Sequence, residues 1–199
     1  NKAIVASKTD YVIFTDGDCI PRRDFVSTHV AHAQRGFFLS GGYCKLSMDL
    51  SNAIRHENIA SYQCFDLDWL RSVGPVGPSQ SRKIGARGNW ARFLDLITTA
   101  KATFNNCNSS AWKSDLLAVN GYDERMQYGG SDREIGERLN NYGITGKQIR
   151  HRAVVLHLDH PRGYKTKESI DKNLGIRKET RSSKSTWTPF GIVKDPAAS

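Results

Sequence analysis

Four apolar or aromatic residues in succession, Tyr11-Val12-Ile13-Phe14, precede the polar group Asp16-Gly17-Asp18 and read as a buried strand over residues 10–15. Beyond Pro21, the run from Asp24 to Ala33 has helical composition. Phe37 to Tyr43 reads as a second strand, whose Gly41-Gly42 pair permits a bulge or a close backbone approach. Ser51 is placed to cap a helix over Ala53–Tyr62, and Phe65 to Val73 continues helically. Gly74 to Gly88, rich in glycine, proline and basic residues, reads as a loop. Trp90–Thr99 and about Ala111–Val119 predict two further helices, the second closed by Asn120-Gly121. Ser131 and Glu134 have the Ser-x-x-Glu spacing of a capping box, with Gly143 as the left-handed stop and Ile135, Leu139 and Tyr142 on one face. Ala153–Leu156 reads as a strand ended by His157-Leu158-Asp159-His160-Pro161. Alternating strands and helices, without internal repeats, predict an α/β layer architecture.

Composition narrows this picture. At 199 residues the chain can bury one sizeable core, and 38% hydrophobic with 25% charged residues excludes wholesale disorder. No apolar run approaches a membrane span, and nothing at the start reads as a signal peptide. The chain opens on Asn1 rather than Met, which reads as the middle of something longer. Cys19, Cys44, Cys64 and Cys107 have neither zinc-ribbon nor disulfide-framework spacing, so the expectation is reduced thiols and a cytoplasmic location.

The net charge is +9, and residues 162–184 hold eight basic against three acidic residues. Such a stretch reads as a solvated face or as a docking surface for phosphates, including an anionic membrane at its inner face. Nucleic acid is not expected, because no aromatic residues interleave with the charges.

Three clusters could carry chemistry. Asp16 and Asp18, one residue apart on a turn after a strand, can face one hard cation, or simply form a turn; Gly17 would let the backbone close on a ligand. Asp132, after Tyr128-Gly129-Gly130-Ser131, is either a charge serving a helix start or an acceptor-only carboxylate able to take a proton. His157 and His160 at a strand end are packed or surface residues, or ligands; with carboxylates they would suit Mn²⁺ better than Ca²⁺.

Together these segments resemble family 2 glycosyltransferases of the GT-A fold. Residues 11–21 resemble the family's metal-binding Asp-x-Asp segment, 105–124 its acceptor-side segment, 128–139 its catalytic loop and helix, and 156–160 its closing histidine segment, in family order. The resemblance implies a Rossmann-like mixed sheet flanked by helices, with residues 1–161 as the catalytic portion and 162–199 as a basic C-terminal extension. It implies inverting sugar transfer from a nucleotide-sugar, a UDP-sugar above all, to a glycan or lipid-linked saccharide hydroxyl. By the same resemblance Asp18 and His157 hold Mn²⁺ or Mg²⁺, while Asp16 meets the ribose or the ion's water shell. Asp132 is the base, with Glu134 next in line. Asn108, Trp112, Tyr128, Gly129 and Gly130 would contact the acceptor.

The family usually has Glu where this chain has Ser131, and Trp where it has Tyr128. Only 15 residues precede Asp16, so the expectation is a portion lacking most of the nucleotide-binding half, weak in UDP binding and prone to self-association. The alternatives are a sugar- or nucleotide-binding module without turnover and a basic module that docks on anionic surfaces.

Overall fold

The computed structural model describes residues 1–161 and 166–194. Tyr11–Phe14 forms β1, and Cys19–Pro21 forms β2 beyond the Asp16-Gly17-Asp18 turn. Phe37–Ser40 (β3) and Gly42–Lys45 (β4) are separated by Gly41 alone, and Ser109–Trp112 (β5), Thr145–Gln148 (β6) and Val154–His157 (β7) follow. One sheet has the order β1-β5-β3-β6, with β3 and β6 parallel and the other pairs antiparallel. The other has the order β2-β7-β4, with β4 and β7 parallel. The chain thus passes directly from the first sheet to the second after β1, β3 and β6.

The change of sheet at Gly41-Gly42 explains both glycines. A Cβ on Gly41 would meet the Asn108 amide at 1.8 Å, and one on Gly42 the Arg150 carbonyl at 2.0 Å. Asn108 closes the same junction: its Nδ2 donates to the carbonyls of Gly42 (2.7 Å) and Ala153 (3.1 Å). Its Oδ1 can only accept, so His29 Nε2 carries the proton of their 2.9 Å bond. His29, in the helix Phe25–His32 (α2), is then free to accept the Ser110 hydroxyl at Nδ1, 2.7 Å away. Ser110 in turn accepts from the Tyr11 hydroxyl, also at 2.7 Å.

Helices flank both sheets. Lys2–Ala6 is α1, Lys113–Ala118 is α8 and Ser131–Asn141 is α9. Leu116, Ile135 and Leu139 of the last two pack with Phe38 and Ala111 of the four-stranded sheet and with Phe104, which precedes β5. Met48–Ala53 (α3), His56–Ala60 (α4), Leu67–Val73 (α5) and Pro78–Gly85 (α6) lie on the other side. There Leu50, Leu70 and Ile84 pack against Ile20, Cys44 and Leu156 of the three-stranded sheet. Gly88–Ile97 is α7, and Lys167–Ser182 is α10. The architecture is α/β, with mixed sheets flanked by helices. No helix among the described residues is long and apolar enough to cross a membrane.

Several sequence expectations change. Residues 74–88 are not all loop: Pro78 opens α6, where its missing N–H costs nothing. The helix expected from Ala111 begins only at Lys113, because Ser109 to Trp112 pair with both β1 and β3. Ser47, not Ser51, caps the helix there, accepting from Leu50 N at 3.3 Å. The capping box at Ser131 does not form. Gly130, with φ of 87°, is the N-cap, and Glu134 turns into the core to meet the buried Arg138 at 2.7 and 2.8 Å. Gly143 does stop α9 in the left-handed conformation, but Tyr142 is exposed.

The described part of the basic stretch beyond residue 161 packs on the rest of the chain. Helix α10 packs on α9: Arg177 pairs with Glu137 at 2.6 Å and Thr180 donates to Glu134 at 2.9 Å. Arg162 and Lys165, counted in the basic stretch, lie outside the described residues.

Candidate functional site

The antiparallel register of β2 and β7 builds the site. Cys19 lies opposite His157, which carries the preceding turn alongside residues 157–160, and Leu158 N donates to the Asp18 carbonyl at 2.9 Å. His157 Nε2 lies 3.6 Å and His160 Nε2 3.0 Å from Asp18 Oδ2. Ser51 steadies the segment by accepting the Asp159 N–H at 2.8 Å.

Loop residues 127–130 close the opposite side. Gly129 and Gly130 have φ of 98° and 87°, left-handed values that glycine adopts without strain. Asn173 of α10 fixes this loop, its Nδ2 donating to the carbonyls of Gln127, Tyr128 and Gly129 at 3.3, 3.0 and 2.7 Å. Asp132 then sits in the first turn of α9, where one oxygen accepts the Arg133 N–H at 2.8 Å. The result is a cavity of about 470 Å³ whose lining includes Asp16, Asp18, Asp132, Asn106, His157 and His160. Tyr128, Gly129 and Gly130 also line it. Tyr122 donates its hydroxyl to Asn106 Oδ1 at 2.5 Å, so Asn106 presents its NH₂ to the cavity.

Three carboxylates around one cavity leave an electrostatic signature. Burial holds the Asp16 carboxyl above the usual carboxylate range, and the charges of Asp18 and Asp132 push it further up, against the pull of His157. Donor atoms of Asp16, Asp18, Cys19 and His157 lie within 4.8 Å of one another. Ligands on opposite sides of a Mg²⁺-sized ion at about 2.1 Å stand about 4.2 Å apart, so a slight contraction would close this set on a cation. The His157 ring is oriented for that role. Nδ1 can only donate to the Leu158 carbonyl, 2.9 Å away, so Nε2 is the nitrogen that faces the carboxylates and that would bind a cation.

Cys19 fits less well. A hydrogen bond with Cys107, burial and the neighbouring carboxylates all raise its thiol's pKa, and a protonated sulfur is a poor partner for a hard cation. The donors that suit Mn²⁺ or Mg²⁺ are Asp16, Asp18 and His157. A Cβ on Gly17 would meet no protein atom within 4 Å, so the turn is open at that position.

Two expected acceptor residues lie elsewhere. Asn108 is fully buried, and its amide is spent on the sheet junction. Trp112 lies opposite Tyr11 in β5, with the Arg35 guanidinium 3.7 Å over its ring. Glu134, next in line as base, is locked against Arg138 with both side chains 1% exposed. Sequence reasoning missed Asn106, Gln127 and the loop clamp Asn173. Asn106 lay within the 105–124 segment but carried no signal that set it apart from Asn105 and Asn108, and Gln127 carried none beyond standing beside Tyr128-Gly129-Gly130. Asn173 stood at a core position of α10 together with Ser169, Ile176 and Thr180, a stripe too polar to register as periodic. No protein-family model matches the chain, and no curated protein matches it in sequence.

Proposed function

We propose that this chain carries the catalytic site of a metal-dependent, inverting glycosyltransferase of the GT-A type, using a nucleotide-sugar, most simply a UDP-sugar, and a saccharide hydroxyl. The observation that carries the reading is the meeting of Asp16, Asp18 and His157 across the β2–β7 register, with Asp132 in the same cavity. A divalent cation held by those three residues would neutralise the charge that develops on a diphosphate leaving group.

The chain's own residues supply the rest. Asp132 is acceptor-only, and its second oxygen remains for the proton of an attacking hydroxyl. Asn106 offers an NH₂ donor, and Tyr128 an aromatic face at the cavity mouth. Asn173 and the two left-handed glycines hold the loop so that Asp132 keeps one position. The experiment is a transfer assay over a panel of nucleotide-sugars with Mn²⁺, followed by Asp132→Asn. Transfer by the wild type that the variant loses supports the reading. Transfer unaffected in Asp132→Asn overturns it.

An anionic membrane surface remains the proposed partner, but α7 suits it better than residues 162–184. In that stretch Arg177 and Arg181 are already paired with Glu137. Helix α7 instead exposes Trp90, Phe93, Leu96 and Ile97. Between Pro78 and Lys101 five basic residues accompany a single acid, Asp95, which is buried against His151 and Arg152. An aromatic and aliphatic face with a cationic fringe is the pattern of a helix lying in a headgroup layer.

A further inference from the structure

Asn105 and Asn106 face different cavities, and so do Asp132 and Arg133. Asn106 and Asp132 line the carboxylate cavity, whereas Asn105 and Arg133 line a second one of about 340 Å³ beside the Gly41-Gly42 junction. Its charge is the reverse of its neighbour's. Lys83, Lys101, Arg133 and Arg150 line it, with no Asp or Glu. Among the described residues none of these four is paired to a carboxylate. Lys83 donates to the Tyr43 carbonyl at 3.0 Å.

The cations converge here without a counter-charge. Burial lowers the Lys83 pKa, and the charges of Arg150 and Arg82 lower it further. An anion held between these side chains would relieve that repulsion. The amide side chains of Asn105 and Gln148 line the same cavity, so a ligand that carries hydroxyls beside its anionic group suits it better than a bare anion, and a sugar acid is such a ligand.

We infer that this second cavity is the subsite for the anionic group of an acidic saccharide. Asp132 and Arg133 are consecutive, with Cα atoms about 3.8 Å apart. One molecule lying across them would present a hydroxyl to Asp132 and its carboxylate to Arg133 and Arg150. Planar guanidinium groups match a carboxylate with paired N–H donors, whereas the two lysines supply charge without direction. That this saccharide is the sugar acceptor rests on the transferase reading; the anion site does not.

The test uses the full chain without donor or metal. Glucuronate, glucose and inorganic phosphate are titrated calorimetrically at fixed ionic strength into the wild type, Arg150→Gln, Arg133→Gln and Lys178→Gln. Glucuronate should bind at least about tenfold tighter than glucose, and each arginine variant should lose about tenfold in glucuronate affinity, the usual scale of one charge-assisted hydrogen bond. Lys178→Gln, which removes an exposed charge outside both cavities, should not lose affinity. Arg133 is half-exposed, so its variant keeps the test decisive should Arg150→Gln fold poorly. Equal binding of glucose and glucuronate, or glucuronate affinity unchanged in both arginine variants, overturns the inference. Phosphate binding more than about tenfold tighter than glucuronate, and lost in the same variants, overturns the sugar-acid assignment in favour of a phosphate ester. Failure of every transfer assay would sink the transferase reading while leaving these affinities to stand on their own.

Discussion

His160 Nε2 lies 3.0 Å from Asp18 Oδ2 across 142 positions of sequence, and His157 Nε2 approaches the same oxygen at 3.6 Å. Both contacts follow from the pairing of β2 with β7, so the carboxylate turn and the histidine segment form one unit. Replacing Asp18 with Ala should therefore weaken Mn²⁺ binding and Mn²⁺-dependent UDP binding strongly, on the order of 3 kcal/mol where a developing charge must be met. His157→Gln should weaken Mn²⁺ binding as well, with the fold intact by circular dichroism. Mn²⁺ titration by calorimetry reads both. Wild-type affinity in Asp18→Ala would remove this turn from the metal site.

The raised Asp16 carboxyl gives metal binding a direction with pH. Burial, then repulsion from Asp18, keeps the proton on Asp16 to higher pH than usual. A cation requires the ionised form, so it must displace that proton as the pH falls into this elevated carboxylate range. Mn²⁺ affinity should rise with pH through that range and level off above it. Asp16→Asn should bind more weakly and lose most of this slope. A slope undiminished in Asp16→Asn would assign it to another group.

Two acids in the first turn of α9 should behave as opposites. Asp132→Asn should lower transfer by roughly 10² to 10⁴-fold with little change in stability or donor binding. Glu134→Gln should leave the buried Arg138 without its counter-charge and destabilise the fold by about 3 kcal/mol or more. Thermal melts of both variants, beside the transfer assay, separate the roles. Equal stability loss in the two would make Asp132 structural.

The segments that carry the site were legible because their chemistry is local. A run of four apolar residues stopped by Asp16-Gly17-Asp18 gives a strand and a turn, and Gly129-Gly130 before Asp132 gives a loop entering a helix. What stayed hidden depends on tertiary pairing. Ser109 to Trp112 has no strand pattern of its own and becomes β5 only because β1 and β3 flank it. The resemblance implies an acceptor contact for Asn108, and nothing local in the sequence says that its amide closes a sheet junction. Thr145–Gln148 is an edge strand with little apolar character, paired to β3 alone, and it drew no expectation. The cationic cavity was invisible for the same reason, since Lys83, Lys101, Arg133 and Arg150 are scattered in sequence.

Apolar exposure on α7 predicts lipid-dependent behaviour. Vesicles rich in anionic phosphatidylglycerol should sediment the protein, pure phosphatidylcholine vesicles should not, and salt should weaken the binding. Phe93→Glu with Leu96→Glu should abolish it and leave the fold unchanged, since both side chains are about half or more exposed. If light scattering instead shows a dimer that this double variant dissociates, with no vesicle binding in the wild type, the face belongs to a second copy.

His29 should couple stability to pH through the junction it closes. Burial lowers its pKa from 6.5 to about 4, and the hydrogen bond with Asn108 only partly opposes this. The unfolded chain binds this proton near pH 6.5 and the folded chain near pH 4, so between these values the unfolded state holds more protons. Stability from the neutral ring is therefore fully present above about pH 6.5 and drains away as the pH falls towards 4, by roughly 3 kcal/mol at the acid end. Urea unfolding at a series of pH values measures the slope. His29→Gln can still donate to Asn108 while lacking a titratable group, so it should start less stable at pH 7 and lose less on acidification. If wild type and variant lose stability in parallel between pH 6.5 and 4, the acid sensitivity arises elsewhere, and His29 is not the proton-linked closure of the two sheets.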